Sequence, residues 1–324
     1  MIRKMKRSAG LLLLLLATVS ILRAQSSPAL LLVYDDYSGK ETGLTYWKNG
    51  QLIQLTDGKT KAGASAIAVS GNDEYVAGYQ YNNAGEPVAT YWKNKKAVIL
   101  TNGKTYAKAV AICVSGPDVH VIGNNGKLAM YWKNGTATSL GEDTKLSDVT
   151  VSGNDVYIVG YQANDQGEYV ATCWKNGNAK VLTDGKRNSE ANAIAISGSD
   201  VYVAGFEINA AGKEVAMYWK NGEPVILPDG CRANAITVSG NDVYVAGIDR
   251  NQAGNNIVVY WKNKTPIRLT NGNEAAGAGV KAITVAGDKV YVAGYLDGIA
   301  TYWENGKPVS LNDIIGGITG MVVK

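Results

Sequence analysis

Residues Ala191–Leu227 read ANAIAISGSDVYVAGFEINAAGKEVAMYWKNGEPVIL, four short apolar segments divided by turn residues. Ala193–Ser197 is small and apolar. Gly198-Ser199-Asp200 turns into Val201–Gly205, which is β-branched and aromatic and so reads as a strand. After a polar loop comes Val215–Trp219, and Asn221-Gly222 turns the chain into Pro224–Leu227. Asn-Gly between apolar runs is a strong hairpin signal, because both residues accept positive φ. The four segments are called A, B, C and D here.

The unit recurs through the chain. The seven tryptophans, Trp47, Trp92, Trp132, Trp174, Trp219, Trp261 and Trp303, follow one another at 45, 40, 42, 45, 42 and 42 residues. Gly71-Asn72-Asp73, Gly153-Asn154-Asp155 and Gly240-Asn241-Asp242 repeat the A–B turn. A period near 40 with four strands per unit predicts an all-β fold of propeller type, with seven four-stranded blades. Seven such units fill residues 25–324 without a linker, which predicts a single domain despite the length.

The termini predict how the blades close. Leu30–Val33, Leu44–Lys48 and Leu52–Leu55 match strands B, C and D, whereas Gly320–Lys324 matches an inner strand A. Pairing the C-terminal inner strand with the three N-terminal strands would complete a seventh blade and leave no free ends. An open solenoid would gain nothing from this offset and would need polar caps.

Before the first unit, Arg3, Lys4, Lys6 and Arg7 precede an apolar run of 14 residues, Ala9–Leu22, and then Ala24. A basic start, a short apolar run and a small residue predict a secretory signal over residues 1–24. Fourteen residues fall short of the ~20 that span a bilayer. The mature chain is therefore expected in the periplasm or outside the cell, with no membrane span. Residues 1–24 carry five Lys or Arg and no acid, so their removal takes the net charge from +4 to −1. A near-neutral surface offers no broad field for phosphate backbones, which argues against nucleic-acid partners.

Several residues invite a chemical role, and each has a plainer reading. Seven exposed tryptophans would make a multivalent sugar-binding surface, but packing between blades is the ordinary use of such a residue. Trp92 and Trp219 are expected opposite Tyr75 and Tyr202 as cross-strand pairs. Cys113, Cys173 and Cys231 match no metal spacing, and three is odd for a disulfide framework. Cys113 and Cys173 read as core substitutions, Cys231 as a loop thiol open to solvent. His120, the single histidine, reads as a packed substitution inside a strand B, which disfavours a Ser-His-Asp triad. Asp57-Gly58, Asn102-Gly103 and Asp184-Gly185 precede Lys59, Lys104 and Lys186, so they read as turns and not as calcium loops. No phosphate loop opens a helix, and neither a metal nor a cofactor is expected.

Strand alternation puts the A–B and C–D turns at one end and the B–C and D–A loops at the other. The first set barely changes between units. The second varies, with B–C loops of ten residues (Tyr79–Val88, Tyr161–Val170) or five (Asn124–Leu128, Tyr295–Ile299). Individuality within one chain marks where a specific site would lie. Tyr79, Tyr161, Phe206 and Tyr295 open these loops, and Lys59, Lys104, Lys186, Arg187 and Arg232 stand in the D–A loops. Aromatics ringed by cations suit an acidic glycan or a protein loop; a solvated loop surface is the plain alternative. Acids that could serve catalysis, Glu207, Asp249 and Asp297, are scattered.

Trp219-Lys220-Asn221-Gly222, then Leu227, then Ala233-Asn234-Ala235-Ile236-Thr237-Val238-Ser239-Gly240 resembles the HAF-type extracellular repeats of exported bacterial β-propeller proteins. That resemblance implies a propeller outside the cytoplasm. The expected function is an exported, monomeric binding module for a glycan or protein ligand. A multivalent lectin is the alternative, and a polysaccharide-active enzyme the more distant one.

Overall fold

Twenty-seven strands and no helix make up the described residues, 29–36 and 43–324, of the computed structural model. The expected signal over residues 1–24 lies outside them. The first group is β1 (Leu30–Asp36), β2 (Thr45–Lys48) and β3 (Gln51–Gln54). Five antiparallel four-stranded sheets follow. They are β4 to β7 (Ala62–Ser70, Asp73–Tyr81, Pro87–Lys93, Lys96–Ile99) and β8 to β11 (Ala107–Ser115, Asp118–Asn125, Leu128–Lys133, Thr136–Gly141). Next come β12 to β15 (Thr144–Ser152, Asp155–Ala163, Tyr169–Lys175, Asn178–Val181) and β16 to β19 (Ser189–Ser197, Asp200–Ile208, Glu214–Lys220, Glu223–Ile226). The last of the five is β20 to β23 (Arg232–Ser239, Asp242–Arg250, Asn256–Lys262, Thr265–Arg268). The chain ends in β24 (Ala278–Ala286), β25 (Lys289–Leu296), β26 (Ile299–Glu304) and the long β27 (Lys307–Val323).

β27 serves two groups. Its first part pairs with β26 through Glu304↔Lys307 to Thr301↔Ser310, and its last part pairs with β1 from Asp36↔Gly316 to Leu30↔Val323. The N-terminal strands thus take their fourth partner from the C-terminus, in a seven-stranded sheet ordered β24-β25-β26-β27-β1-β2-β3. β27 is continuous between these two pairings, running on through the β-branched Ile314 and Ile315.

The A strands are longer than the sequence suggests. Each of β4, β8, β12, β16, β20 and β24 reaches back into the stretch expected as D–A loop, and each carries a bulge near its middle. The extra residues are Ser65, Val110, Ser147, Asn192, Asn234 and Lys281, with Thr319 the counterpart in β27. Opposite each bulge in β4–β24 stands a B-strand glycine (Gly78, Gly123, Gly160, Gly205, Gly247, Gly294), whose Cβ would run into an A-strand carbonyl. This explains the repeated Gly that closes each B-strand apolar run. The B strands also run further than expected, to Tyr81, Ala163 and Ile208, so the ten-residue loops shrink to short turns.

Register corrects one pairing. Trp92 stands opposite Val76 and Trp219 opposite Val203, while Tyr75 and Tyr202 face Lys93 and Lys220. A shift of one residue changes the face of the sheet, so Trp and Tyr project to opposite sides. Each Trp then packs on the Tyr side of the sheet before it: Trp92 clusters with Tyr46, Trp132 with Tyr75, Trp261 with Tyr202, and Trp303 with Tyr244. Trp47 meets Tyr302 with ring centroids 6.1 Å apart. Six of the indoles are 0–3% exposed, and Trp47 is half-buried. Trp261 also donates its Nε1–H to the Pro228 carbonyl of the previous sheet (2.7 Å).

The C–D turns take the expected geometry. Asn49 and Gly50 have φ of 49° and 86°, Asn221 and Gly222 of 56° and 95°, as a two-residue turn with both residues left-handed requires. Asn94-Lys95 and Asn263-Lys264 keep it without glycine, with Lys95 and Lys264 at φ 71°.

Two stability outcomes are expected. Deleting Gly320–Lys324 strips Leu30–Val33 of β1 of their β27 partners and should cost several kcal/mol, a large share of a typical total; an unchanged melting temperature would exclude this role. Trp219→Ala empties a wedge between two sheets and should cost about 3–5 kcal/mol in denaturant unfolding.

Candidate functional site

The cavity that stands out lies at the variable end, between the A strands β20, β24 and β27, with a volume of about 330 Å³. Tyr295 of β25 lines it together with the bulge residues Asn234, Lys281 and Thr319. Apolar surface comes from Ile248, Val280 and Ile318, and Asn256 adds an amide. Gly279 and Gly317 lie beside the Tyr295 ring, and a Cβ at Gly279 would strike its edge. The neighbouring Asp297-Gly298 turn is only two residues long, with φ of 51° and 73°, so no long B–C loop covers the opening.

The cavity exists because side chains are missing. At the strand position of Gly279, the sheets from β8 to β23 carry Lys108, Lys145, Glu190 and Arg232. Three A strands, β24, β27 and β4, put glycine there (Gly279, Gly317 and Gly63), and at the cavity Gly279 and Gly317 leave out the two side chains that would fill the space.

Its polar groups are partly committed. Asn234 donates from Nδ2 to the Val280 carbonyl (3.1 Å), Asn256 from Nδ2 to Ala278 O (3.5 Å), and Thr319 from Oγ1 to Ala64 O (3.2 Å). Asn192 makes the same kind of bond to Ala233 O (3.0 Å). Bulge side chains thus tie one A strand to the next, and Thr319 ties the last A strand to the first.

The other residues singled out in sequence do not converge with Tyr295. Tyr79, Tyr161 and Phe206 lie within B strands, not in loops, each on a different sheet. The Lys108 ammonium lies 5.4 Å from the Tyr79 ring centre, and Lys145 lies 5.5 Å from that of Tyr161. Such contacts are worth roughly 0.5–1 kcal/mol at exposed sites. Phe206 is buried, with the Arg232 guanidinium 4.5 Å over its ring. Arg232, a strand residue and not a loop one, also pairs with Glu214, whose second oxygen lies 3.3 Å from Arg250. The Arg232 hydrogen bond holds the Glu214 carboxyl below its usual range. Arg187 donates from Nε to Ile208 O, and Lys186 pairs with Asp184 at 3.3 Å. Lys59 and Lys104 are exposed and donate main-chain N–H to Asp57 and Asn102 of their own turns. Phe206 and Arg232 are therefore brought together, and the remaining lysines stay apart on their loops.

Cys231 is buried, not open to solvent, and burial pushes the thiols of Cys113 and Cys231 up and that of Cys173 to about 11. These sulfurs are thiols, not thiolates, at neutral pH. His120 is buried with Nδ1 2.7 Å from the Tyr131 hydroxyl, and burial lowers its pKa. Among the acids, Asp249 bonds Arg268 at 3.1 Å, Asp297 accepts from the Ala276 N–H, and burial raises Glu207. Among the described residues no His, Cys, Asp and Glu cluster could hold a metal ion, and no helix is long and apolar enough to cross a membrane.

Asp148 is the acid with the most unusual setting. It follows the bulge of β12 and accepts the N–H of Val149 (2.8 Å) and that of Ile194 on the next A strand (3.0 Å). Burial outweighs these two bonds and pushes its carboxyl up to about 6.

No protein-family model matches the chain, and no curated protein matches it significantly.

Asp148 sets a pH expectation. An unfolded Asp titrates near 3.9, so between about pH 4 and 6 the folded chain binds more protons than the unfolded one. Stability contributed by the protonated group is complete below that window and is lost as pH rises through it. Asp148→Ala, the residue at Ala66, Ala111 and Ala193 in equivalent positions, should flatten this part of the profile. Melts from pH 4 to 7 that fall in parallel for both proteins would refute it.

Proposed function

We propose that the chain is an exported seven-bladed β-propeller that binds its ligand at the end carrying the B–C and D–A loops. The pocket at Tyr295 is the observation that carries this reading: it opens at the variable end and is built from departures from the repeat. Ligand sites favour a concave apolar lining with a few placed polar groups, and about 330 Å³ lies at the small end of their usual range.

Ring closure is supported by the neighbours of the last strand. β27 touches β24 on one side and β4 on the other, Thr319 bonds Ala64 O, and Trp47 packs against Tyr302 as other tryptophans pack against the preceding Tyr side. Export rests on the basic and apolar start of the sequence, and kinship with HAF-type repeats on the motif around Trp219. A lectin using the seven indoles is disfavoured, since six are buried. The pocket supports binding of a single small unit instead.

Gly279→Lys places at the pocket the residue that Lys108 and Lys145 represent in other sheets. Probing an array of immobilised glycans with the wild-type chain and with this variant should give hits that the variant loses while its melting curve stays cooperative. Hits of equal strength for both proteins would move the site away from the pocket.

A further inference from the structure

The strand position that puts Tyr295 in the pocket narrows the guest, on the premise that the pocket is the binding site. Other rings at this B-strand position are capped by a cation from an A strand. Lys145 of the same sheet lies over Tyr161, while Lys108 and Arg232 of the next sheet lie over Tyr79 and Phe206. For Tyr295 both capping positions are glycine, Gly279 on its own sheet and Gly317 on the next. Its ring therefore keeps aromatic surface open toward the pocket. The polar groups around it are half spent. Asn234 and Asn256 each commit one N–H to a main-chain carbonyl, which leaves each amide one N–H and its oxygen. Thr319 gives its hydrogen to Ala64 O and keeps its lone pairs.

An open aromatic face suits a guest face made of C–H bonds. An amide with one N–H and one oxygen to spare is matched by a hydroxyl, which donates and accepts at once. Charge is not called for. The lining has no Asp or Glu to hold a cation, and its own cation, Lys281, already has an interaction within the chain. We infer that the pocket receives one uncharged pyranose unit of a glycan. Its C–H face lies on Tyr295 and its hydroxyls turn toward Asn234, Asn256 and Thr319. A peptide side chain fits less well. A leucine or phenylalanine would fill the apolar part beside Val280 and Ile318 and leave the two amides and the threonine oxygen without partners.

Substitutions can be chosen from residues the repeats already carry, which protects the fold. Tyr295→Asn copies Asn124 of β9, and Asn256→Leu copies Leu128 at the start of β10. The test is titration of the full chain, by calorimetry and saturation-transfer NMR, with the methyl glycosides of glucose, galactose and mannose. The uronic acid and the amino sugar of each serve as charged counterparts. At least one neutral glycoside should bind, with saturation strongest on the C–H groups of one ring face. Its affinity should be the same at low and high salt, and its charged counterparts should bind no more tightly. Tyr295→Asn should weaken it about tenfold and Asn256→Leu about fivefold, with thermal melts confirming folded proteins. A charged counterpart that binds more tightly and is lost in Gly279→Lys would overturn the uncharged assignment and leave the pocket as the site. Neutral binding that neither Tyr295→Asn nor Gly279→Lys changes would overturn the pocket itself. Failure of every sugar to bind at tens of millimolar would overturn the pyranose assignment, while array hits lost in Gly279→Lys would still uphold the pocket.

Discussion

One asparagine in every repeat holds the two turns of its sheet together. The side-chain oxygen of Asn49, Asn94, Asn134, Asn176, Asn221, Asn263 or Asn305 accepts the N–H of the first or second residue of the B strand, at 2.8–2.9 Å in all seven groups. In five of them its Nδ2 also donates to the A–B turn aspartate, for example Asn221 to Asp200 at 2.8 Å. That aspartate in turn holds the lysine after Trp, as Lys220 holds Asp200 at 2.7 Å, and the same lysine lies over the B-strand Tyr. The signature Asp-x-Tyr with Tyr-Trp-Lys-Asn-Gly is therefore one bonded network. It fixes the A–B and C–D hairpins to each other and so sets which face carries Trp. The group near the C-terminus makes the same pair with charges exchanged: Lys289 takes the aspartate position, Glu304 the lysine position, and they meet at 2.6 Å. An exchange of both partners within one chain indicates that the pairing matters there more than either sign. Each pair alone is half-exposed and worth little. Its weight lies in orienting the turn.

With that end fixed seven times over, the opposite end is free to differ. The B–C turns there range from the two-residue Asp297-Gly298 to five-residue turns such as 82–86, and the A-strand residue beside them varies in size and charge. Where it is Lys145 or Arg232, the side chain lies across an aromatic ring of a B strand and closes the surface. Where it is Gly279 and Gly317, the surface opens into the pocket; glycine recurs there in β4, as Gly63. The pocket thus arises by omission, and the repeat's own bonding network tolerates it because that network sits at the far end of each sheet.

Much of this was legible in sequence. The Trp spacing, the Asn-Gly turns and the unmatched terminal strands gave the four-stranded sheets and the pairing of chain ends, since turn chemistry and strand propensity act locally. Strand length was not legible in the same way. Arg232 reads as a loop residue because it is charged, yet it extends β20 with its guanidinium over the Phe206 ring, and Lys108 and Glu190 extend β8 and β16 from the same position. The bulges also escaped notice, as one extra residue leaves no mark in a pattern of alternating apolar residues. That hid the register and placed Trp219 opposite Tyr202 instead of Val203. Phe206 looked like a loop aromatic open to ligand, and only the guanidinium stacked on it reveals why it is buried. Of the nine candidate binding residues, Tyr295 lines the pocket. Gly279 and Gly317 carried the signal for the rest: glycines where four sister repeats have long side chains and a fifth has Gly63.

The bulge residue is where the chain departs most from its own repeat, and geometry explains why. A residue in a regular ladder has a partner opposite, and a change in its size or charge disturbs that pair. A bulged residue has no such partner. Ser65, Val110, Ser147, Asn192, Asn234, Lys281 and Thr319 occupy this position, five kinds of residue in seven repeats, while the C–D turn is asparagine every time. Some of these side chains reach sideways and fasten neighbouring A strands, as Asn192, Asn234 and Thr319 do. The residue after the bulge can do so as well, and Asp148 fastens the N–H of Ile194 at the cost of a carboxyl pushed up to about 6. Lys281 puts a charge into the pocket from the same position. A fold whose strand pairing is fixed by turns and by Trp–Tyr packing can therefore place either a fastening or a pocket-lining group at each bulge without redesigning a sheet.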